Sequence, residues 1–267
     1  MVNLLILGSG RSGTSMVAGM FRKSGAYLGD MFLKPTISNP LGYYEDYEIN
    51  SINNIMVDAL LRWPCFDQFR RRILSPIYLD KRCFWIVAPF WLRRPSLPSS
   101  LIQRVRECVA RQPFCYKDPR FNTTLHLWRP YLPEPTHFIV VFRQPARTVD
   151  SMLRDAMELY NPPLPINWRT AYRLWQRIYS RLLYQARNNY HWIFVHYDDV
   201  ISGEAIPVLE AFSGVKLDTS EVNQSISRST DWAPKLSWLT HRCMRLYSRL
   251  VERARSDKIK WGTLPQD

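Results

Sequence analysis

Short apolar runs alternate with segments of helical periodicity along the chain. The run "VNLLIL" ends at Gly8, and similar runs follow at 114–117, 137–142 and 192–196. Runs of this kind are typical of strands that are buried on both faces of a parallel sheet. Apolar residues recur at helical spacing in the segments between them, roughly 14–24, 48–61, 99–111, 145–159, 168–189 and 204–212.

Strands that alternate with helices predict an α/β protein, here a P-loop-containing three-layer α/β/α fold with a central parallel sheet. The proline-rich pieces between the elements are short, and no internal repeat is present, so we expect a single domain over 1–267. The segment 62–98 has the least regular pattern, and we predict an irregular insertion near the functional site. Its aromatic residues could line a pocket or fill a core: Trp63, Phe66, Phe84, Trp85, Phe90 and Trp91.

The charge balance narrows the choice of partner. Lys and Arg number 36 against 23 Asp and Glu, which leaves a formal net charge of +13. Such a balance favours an anionic partner, such as nucleic acid, a membrane surface or a highly charged small molecule. The excess is spread along the chain and no nucleic-acid-binding signature is present, so we expect no nucleic-acid partner.

Cysteine usage and hydropathy indicate a cytoplasmic protein. The five cysteines are odd in number and show no CxxC spacing, which favours buried thiols in a reducing compartment over disulfides or a zinc site. No other metal-ligand spacing is present, so no metal is expected. No leader-like segment precedes the first apolar run, and the longest apolar stretch, "CFWIVAPFWL", is too short to cross a membrane. Peripheral membrane contact stays open, and the pattern predicts no oligomeric state.

The stretch "GSGRSGTS" (8–15) follows the first predicted strand and opens the first predicted helix. Gly8, Gly13 and Ser15 occupy the positions of a phosphate-binding loop, but Thr14 stands where that loop has its lysine. The backbone cradle for an anion is therefore kept, and Arg11 supplies a cation that can fork onto two oxygens. The alternative is a Gly-Ser turn with an exposed arginine.

A second strand-to-helix junction carries "FRQPARTVDSML" (142–153). Arg143 ends the strand, and Ser151 follows it by eight residues, about two turns into the next helix. Ligands of parallel α/β proteins bind at the carboxyl ends of the strands, so this pair could bind a second phosphate. The alternative is an arginine that caps the edge of the sheet.

Together the two motifs resemble sulfotransferases that use 3′-phosphoadenosine 5′-phosphosulfate. "GSGRSGTS" is similar to the family's 5′-phosphosulfate loop and "FRQPARTVDSML" to its 3′-phosphate motif, while "VHYDDVI" (195–201) resembles a later strand and helix. The resemblance covers most of the chain and implies adenosine 3′,5′-bisphosphate as the product. It also implies a set of donor-binding residues: Gly8, Gly10, Arg11, Ser12, Gly13, Thr14, Ser15, Arg143 and Ser151.

The resemblance further implies three catalytic residues, Arg11, Glu45 and Lys117. Arg11 would lie beside the sulfuryl oxygens, as in the carbohydrate and protein-tyrosine branches. Lys117, in "YKDPRF", resembles a lysine that stabilises the transferring group; the alternative is a surface lysine paired with Asp118. Glu45 would be the base, although its neighbours Asp46 and Glu48 are also acidic and would more simply favour a helix N-terminus.

His126 is the second candidate for the base, with a core histidine as the alternative. The acceptor would offer a hydroxyl or an amine on a small molecule, carbohydrate or peptide.

Two other function classes stay open. One is a P-loop nucleotide-dependent kinase, which the missing lysine disfavours. The other is a non-catalytic basic protein that binds anions or membranes through a C-terminal helix whose one face carries Arg242, Arg245, Arg249 and Arg253 opposite Leu239, Leu246 and Leu250. A solvated face on a packed helix explains that pattern more simply.

Overall fold

The computed structural model describes residues 1–36, 42–61, 95–158, 166–187, 191–223 and 237–262. Most of the predicted insertion, with its six aromatic residues, Cys65 and Cys83, lies outside these ranges. Of the remaining cysteines, Cys115 and Cys243 are buried and Cys108 is half-buried, all three as free thiols.

The described strands form one parallel sheet in the order β2-β1-β3-β4. They are β1 (Asn3–Leu7), β2 (Cys115–Lys117), β3 (Thr136–Phe142) and β4 (Trp192–His196). Leu5 pairs with Tyr116 on one side and with Phe138 on the other, which makes β1 a central strand. The predicted parallel α/β sheet is confirmed.

The helices fall between the strands as the periodicity predicts. They are α1 (Thr14–Lys23), α2 (Tyr47–Leu61), α3 (Ser99–Ala110), α4 (Phe121–Trp128), α5 (Pro145–Glu158), α6 (Trp168–Gln185), α7 (Tyr197–Ile201), α8 (Ile206–Ser213), α9 (Ser220–Asn223) and α10 (Trp238–Gly262). Of these, α4, α7 and α9 are additional to the predicted set. None of the helices described here combines the length and apolarity needed to span a membrane.

Alternate residues of β1 face two separate cores. Leu5 and Leu7 pack into a cluster with α2 to α6 and α10, while Leu4 and Ile6 pack into a second cluster with α1 and α8. Because side chains alternate across a strand, a sheet covered on both faces requires an apolar residue at every position. This requirement explains the uninterrupted apolar runs of the sequence.

The last helix, α10, covers the outer edge of β4. Asp257 accepts a hydrogen bond from the backbone N–H of Phe194 at 2.9 Å and pairs with Arg253. An edge strand has backbone groups without a strand partner, so a buried edge needs such acceptors. Arg253 thus turns toward the strand, whereas Arg242, Arg245 and Arg249 are exposed. The helix is a packed element with a solvated basic face, and Arg253 on that face bends its guanidinium back toward Asp257 and the strand.

We predict that Asp257→Ala lowers the free energy of unfolding by about 1–3 kcal/mol, because the N–H of Phe194 would be buried without an acceptor. Chemical denaturation checks this. Glu252→Ala, an exposed position on the same helix, should change stability by less than about 0.5 kcal/mol. Equal losses in the two variants would contradict the role given to Asp257.

Candidate functional site

The site lies where the strand order reverses. The chain passes from β1 to β2 on one side and then returns to β3 on the other side of β1. Parallel sheets open a crevice at such a point, outside the carboxyl ends of the two strands concerned. The loop 8–13 leaves β1 here and Arg143 leaves β3, so the fold brings the two predicted anion motifs to one crevice.

Gly8 begins the loop in a conformation that other residues avoid. Its φ is 138°, and a Cβ there would collide with the carbonyl oxygen of Val141. The side-chain amide of Asn122 accepts from Gly8 N at 3.1 Å and donates to Gly8 O at 2.6 Å. The start of the loop is therefore bound to α4 at both of its backbone polar groups.

The next turn of the loop is bound to α6 and β3. Ser9 N donates to the Tyr179 hydroxyl at 3.1 Å, and that hydroxyl donates to Val141 O at 2.9 Å. Burial raises the pKa of Tyr179 to about 12, so its hydroxyl keeps the proton that it donates. Ser12 Oγ lies 2.6 Å from Ser9 O, which closes the turn.

The loop leads directly into α1, whose first amides point out of the helix end. Gly13, at φ 94°, precedes the helix and packs under the Tyr197 ring. Helix geometry leaves the N–H groups of Thr14 and Ser15 without an intrahelical acceptor, and the helix dipole favours an anion there. This end can hold a phosphate or sulfate group.

Arg11 joins the two motifs. It has a left-handed backbone with φ 67°, and its Nε lies 3.0 Å from Ser151 Oγ and 3.3 Å from Asp155 Oδ2. Non-glycine residues adopt this backbone conformation uncommonly. The phosphate-type loop and the helix after Arg143 are thus in direct contact, with the loop cation between them.

Arg143 is a buried cation at the carboxyl end of β3. The residue is 7% exposed, and its guanidinium lies 4.3 Å from the centre of the Tyr197 ring. Within the described part of the chain, neither Nε nor Nη2 has a hydrogen-bond partner. Burial lowers the pKa of this guanidinium, yet arginine stays charged in proteins. Because β3 lies between β1 and β4, the alternative of an arginine capping the sheet edge is wrong.

Glu45 and Lys117 form a buried ion pair next to the loop. Lys117 Nζ lies 2.5 Å from Glu45 Oε1, and it also donates to Tyr43 O at 3.1 Å and Ser15 Oγ at 3.2 Å. The side chains are 5% and 7% exposed for Lys117 and Glu45 respectively. The alternative of a surface lysine paired with Asp118 is wrong. Lys117 instead connects Glu45 to Ser15 in the first turn of α1.

The two acids that follow Glu45 in the sequence, Asp46 and Glu48, have structural partners. Asp46 Oδ1 accepts from the N–H groups of Glu48 and Ile49 and so caps α2, while its Oδ2 accepts from Asp30 N and Met31 N. The Glu48 carboxylate pairs with Arg104. Glu45 is therefore the acid of this group that contacts Lys117.

His126, the second candidate for the base, is 5% exposed on α4. Its Nδ1 lies 3.0 Å from Nη2 of Arg181, a residue of α6. This contact fits the core-histidine alternative.

Sequence reasoning missed the residues that support the site. Asn122, Tyr179, Tyr197 and Asp155 contact the loop, although none belongs to the two motifs as they were predicted. Tyr197 stands directly after the β4 run, where a strand's carboxyl end predicts proximity to a ligand, and this signal could have found it. Asn122 and Tyr179 sit within ordinary helical patterns and give no such signal.

No family model matches the sequence, and a search of curated proteins finds no relative. Solved structures do match. A sulfotransferase domain from the curacin biosynthetic pathway superposes with a TM-score of 0.54 at 16% identity, over 94% of this chain and 97% of that chain. The sulfotransferase domain of the Synechococcus PCC 7002 olefin synthase gives a TM-score of 0.50 at 15% identity, over 93% and 94%. The chain therefore has the fold of sulfotransferase domains, of P-loop type.

We predict that Gly13→Ala destabilises the protein by about 1–3 kcal/mol through its positive φ alone. A Cβ at this position would also lie 2.5 Å from Tyr197 Cδ2. Gly10→Ala is the matched control, since a Cβ at Gly10 meets nothing within 4 Å and Gly10 has no positive φ. Thermal unfolding checks this, and equal midpoints for the two variants would contradict the packing described for Gly13.

Proposed function

We propose that the protein is a sulfotransferase that moves the sulfuryl group of 3′-phosphoadenosine 5′-phosphosulfate to a hydroxyl or amine of an acceptor. The proposal rests on the shared fold and on four cationic or anion-favouring features of the crevice. These features are Arg11, Arg143, Lys117 and the N-terminus of α1.

The observation that carries the proposal is the buried guanidinium of Arg143, which has two N–H positions without an acceptor among the described residues. A buried charge is costly unless an opposite charge or hydrogen bonds compensate it. An anion in the crevice would supply both. Ser151, 8% exposed on the following helix, offers a hydroxyl to the same group. We assign Arg143 and Ser151 to the donor's 3′-phosphate.

The loop would hold the phosphosulfate end of the donor. Gly8, Gly10, Ser12 and Gly13 shape its backbone, and the amides of Thr14 and Ser15 face outward at the helix end. Arg11 and Lys117 would neutralise charge that develops on the leaving and equatorial oxygens. Sulfuryl transfer needs mainly alignment and charge stabilisation from the protein, which is what fixed cations and amides provide.

Glu45 would take the proton of the acceptor. A general base must lie within hydrogen-bond reach of the proton that it removes. Glu45 and Ser15 of α1 both contact the Lys117 ammonium, which supports a position of Glu45 near the proposed transfer site. The acceptor remains a small molecule, a carbohydrate or a peptide.

We predict that adenosine 3′,5′-bisphosphate binds at least about tenfold more tightly than AMP, because charge-assisted hydrogen bonds contribute about 1.5–3 kcal/mol each. Arg143→Gln should remove most of this difference. Calorimetry without metal measures both affinities. Arg154→Gln is the control, since Arg154 lies on the same helix α5 and pairs with Asp150. Equal affinity for the two nucleotides in the unaltered protein would contradict the assignment of Arg143 and Ser151.

We further predict that Glu45→Gln binds donor but loses transfer by about 10²–10⁴-fold, the usual contribution of general acid–base catalysis. Release of adenosine 3′,5′-bisphosphate from the donor, followed over a panel of phenols, sugars and amines, measures this. Glu48→Gln is the matched control, because Glu48 lies close to Glu45 in sequence but pairs with Arg104 instead of Lys117. This variant should retain turnover. A Glu45→Gln variant with near-normal turnover would show that another group is the base.

A further inference from the structure

Four charged side chains pack together beside the loop. Glu45 and Lys117 form one ion pair, and Asp118 and Arg120, which follow β2, form a second at 3.3 Å. Their side chains are between 0% and 17% exposed. We call these four residues the charge cluster. It contains two cations and two anions, so it is neutral as a whole.

Lys117 has two demands on its ammonium group. In this structure the ammonium contacts Glu45. The proposed function requires the same ammonium to stabilise the sulfuryl group of the donor during transfer. Turning toward the donor would weaken the contact with Glu45. A buried carboxylate that loses its cation takes up a proton rather than stay ionised. A protonated Glu45 could not accept the proton of an acceptor.

Arg120 offers Glu45 a second cation. Its Nη1 lies 3.9 Å from Glu45 Oε2. Lys117 contacts the other carboxylate oxygen, Oε1, at 2.5 Å. An arginine cannot lose its charge in a protein, so it would serve Glu45 at any working pH.

Three contacts anchor Arg120 where it stands. Its Nε donates to Asn54 Oδ1 at 2.7 Å, and its Nη1 lies 3.3 Å from Asp118 Oδ2. Its backbone N–H donates to Asp118 Oδ1 at 2.7 Å. Burial raises the pKa of Asp118 to about 6, while the neighbouring Arg120 guanidinium opposes this shift and Glu45 adds to it. The guanidinium is therefore fixed independently of Lys117.

We propose that Arg120, anchored by Asp118 and Asn54, is a positioning residue that keeps Glu45 ionised while Lys117 serves the donor. The inference rests on the proposed function. The neighbouring acids have partners of their own and do not need the Arg120 guanidinium. The Asp46 carboxylate accepts four backbone N–H groups, and Glu48 pairs with Arg104.

Proton linkage during donor binding tests the inference without an acceptor. Calorimetric titration with 3′-phosphoadenosine 5′-phosphosulfate near neutral pH, repeated in buffers of different ionisation enthalpy, counts the protons taken up per donor bound. We expect the same count for the unaltered protein and for Glu45→Gln, because Glu45 stays ionised throughout. Arg120→Gln should take up about one proton more, since linkage adds the proton that Glu45 then binds.

Three further variants make the result specific. The extra proton should disappear in the double variant Arg120→Gln with Glu45→Gln, and Arg120→Lys should restore the original count. Arg104→Gln, which breaks the exposed pair with Glu48, is the control and should leave the count unchanged. If Arg120 had only a structural role, its replacement would not add a proton whose uptake depends on Glu45.

Other outcomes overturn the inference in distinct ways. Donor binding by Arg120→Gln without an extra proton, or an extra proton that survives Glu45→Gln, would refute it. If Arg120→Gln does not fold, the other variants decide. The inference is refuted if the unaltered protein takes up more protons per donor bound than Glu45→Gln does. It is supported if these two proteins and Arg120→Lys all take up the same number. Absence of donor binding in the unaltered protein would instead refute the proposed function.

Discussion

The shape of the loop 8–13 depends on hydrogen bonds to elements that lie more than a hundred residues further along the chain. Asn122 binds both backbone groups of Gly8, and Tyr179 connects Ser9 to Val141 on β3. The loop therefore takes its shape only when α4, α6 and β3 have packed around β1. An anion site built in this way is formed with the sheet, so little ordering is left for the ligand to induce.

A neutral charge cluster and a buried cation, Arg143, lie on the two sides of this loop. Glu45, Lys117, Asp118 and Arg120 satisfy one another, whereas Arg143 packs on the Tyr197 ring and has two N–H positions without an acceptor among the described residues. Folding has already desolvated Arg143, so an anion that reaches it gains attraction in a low-dielectric site without that cost being incurred again. For this reason we infer a ligand at the buried Arg143 and not at the more numerous exposed arginines of α10.

Much of the fold follows from local patterns. Uninterrupted apolar runs predict β1, β3 and β4, because each is covered on both faces, and the glycines before α1 predict the loop. A strand end and a helical turn have fixed geometry and so predict where Arg143 and Ser151 lie, while their role in binding stays a prediction. The predicted bounds of α6, 168–189, extend too far toward its carboxyl end, since the helix ends at Gln185.

The partners of the site residues depend on tertiary packing that no local pattern contains. Nothing in "YKDPRF" tells that Lys117 turns to Glu45 while Arg120 turns to Asp118, because the adjacent Lys-Asp pair is the simpler local choice. The exchange arises because β2 runs beside β1, which brings Lys117 into register with Ile6 and so near Ser15, while Pro119 carries Arg120 back over the Asp118 carboxylate. Asp118 follows the last residue of β2, and its carboxylate accepts from the backbone N–H of Arg120 at 2.7 Å, so it turns back toward the next residues of its own segment and not toward Glu45. Arg120 Nη1 then lies 3.3 Å from the carboxylate of Asp118 and 3.9 Å from that of Glu45, so the turn after β2, and not the strand itself, leaves Glu45 between two cations.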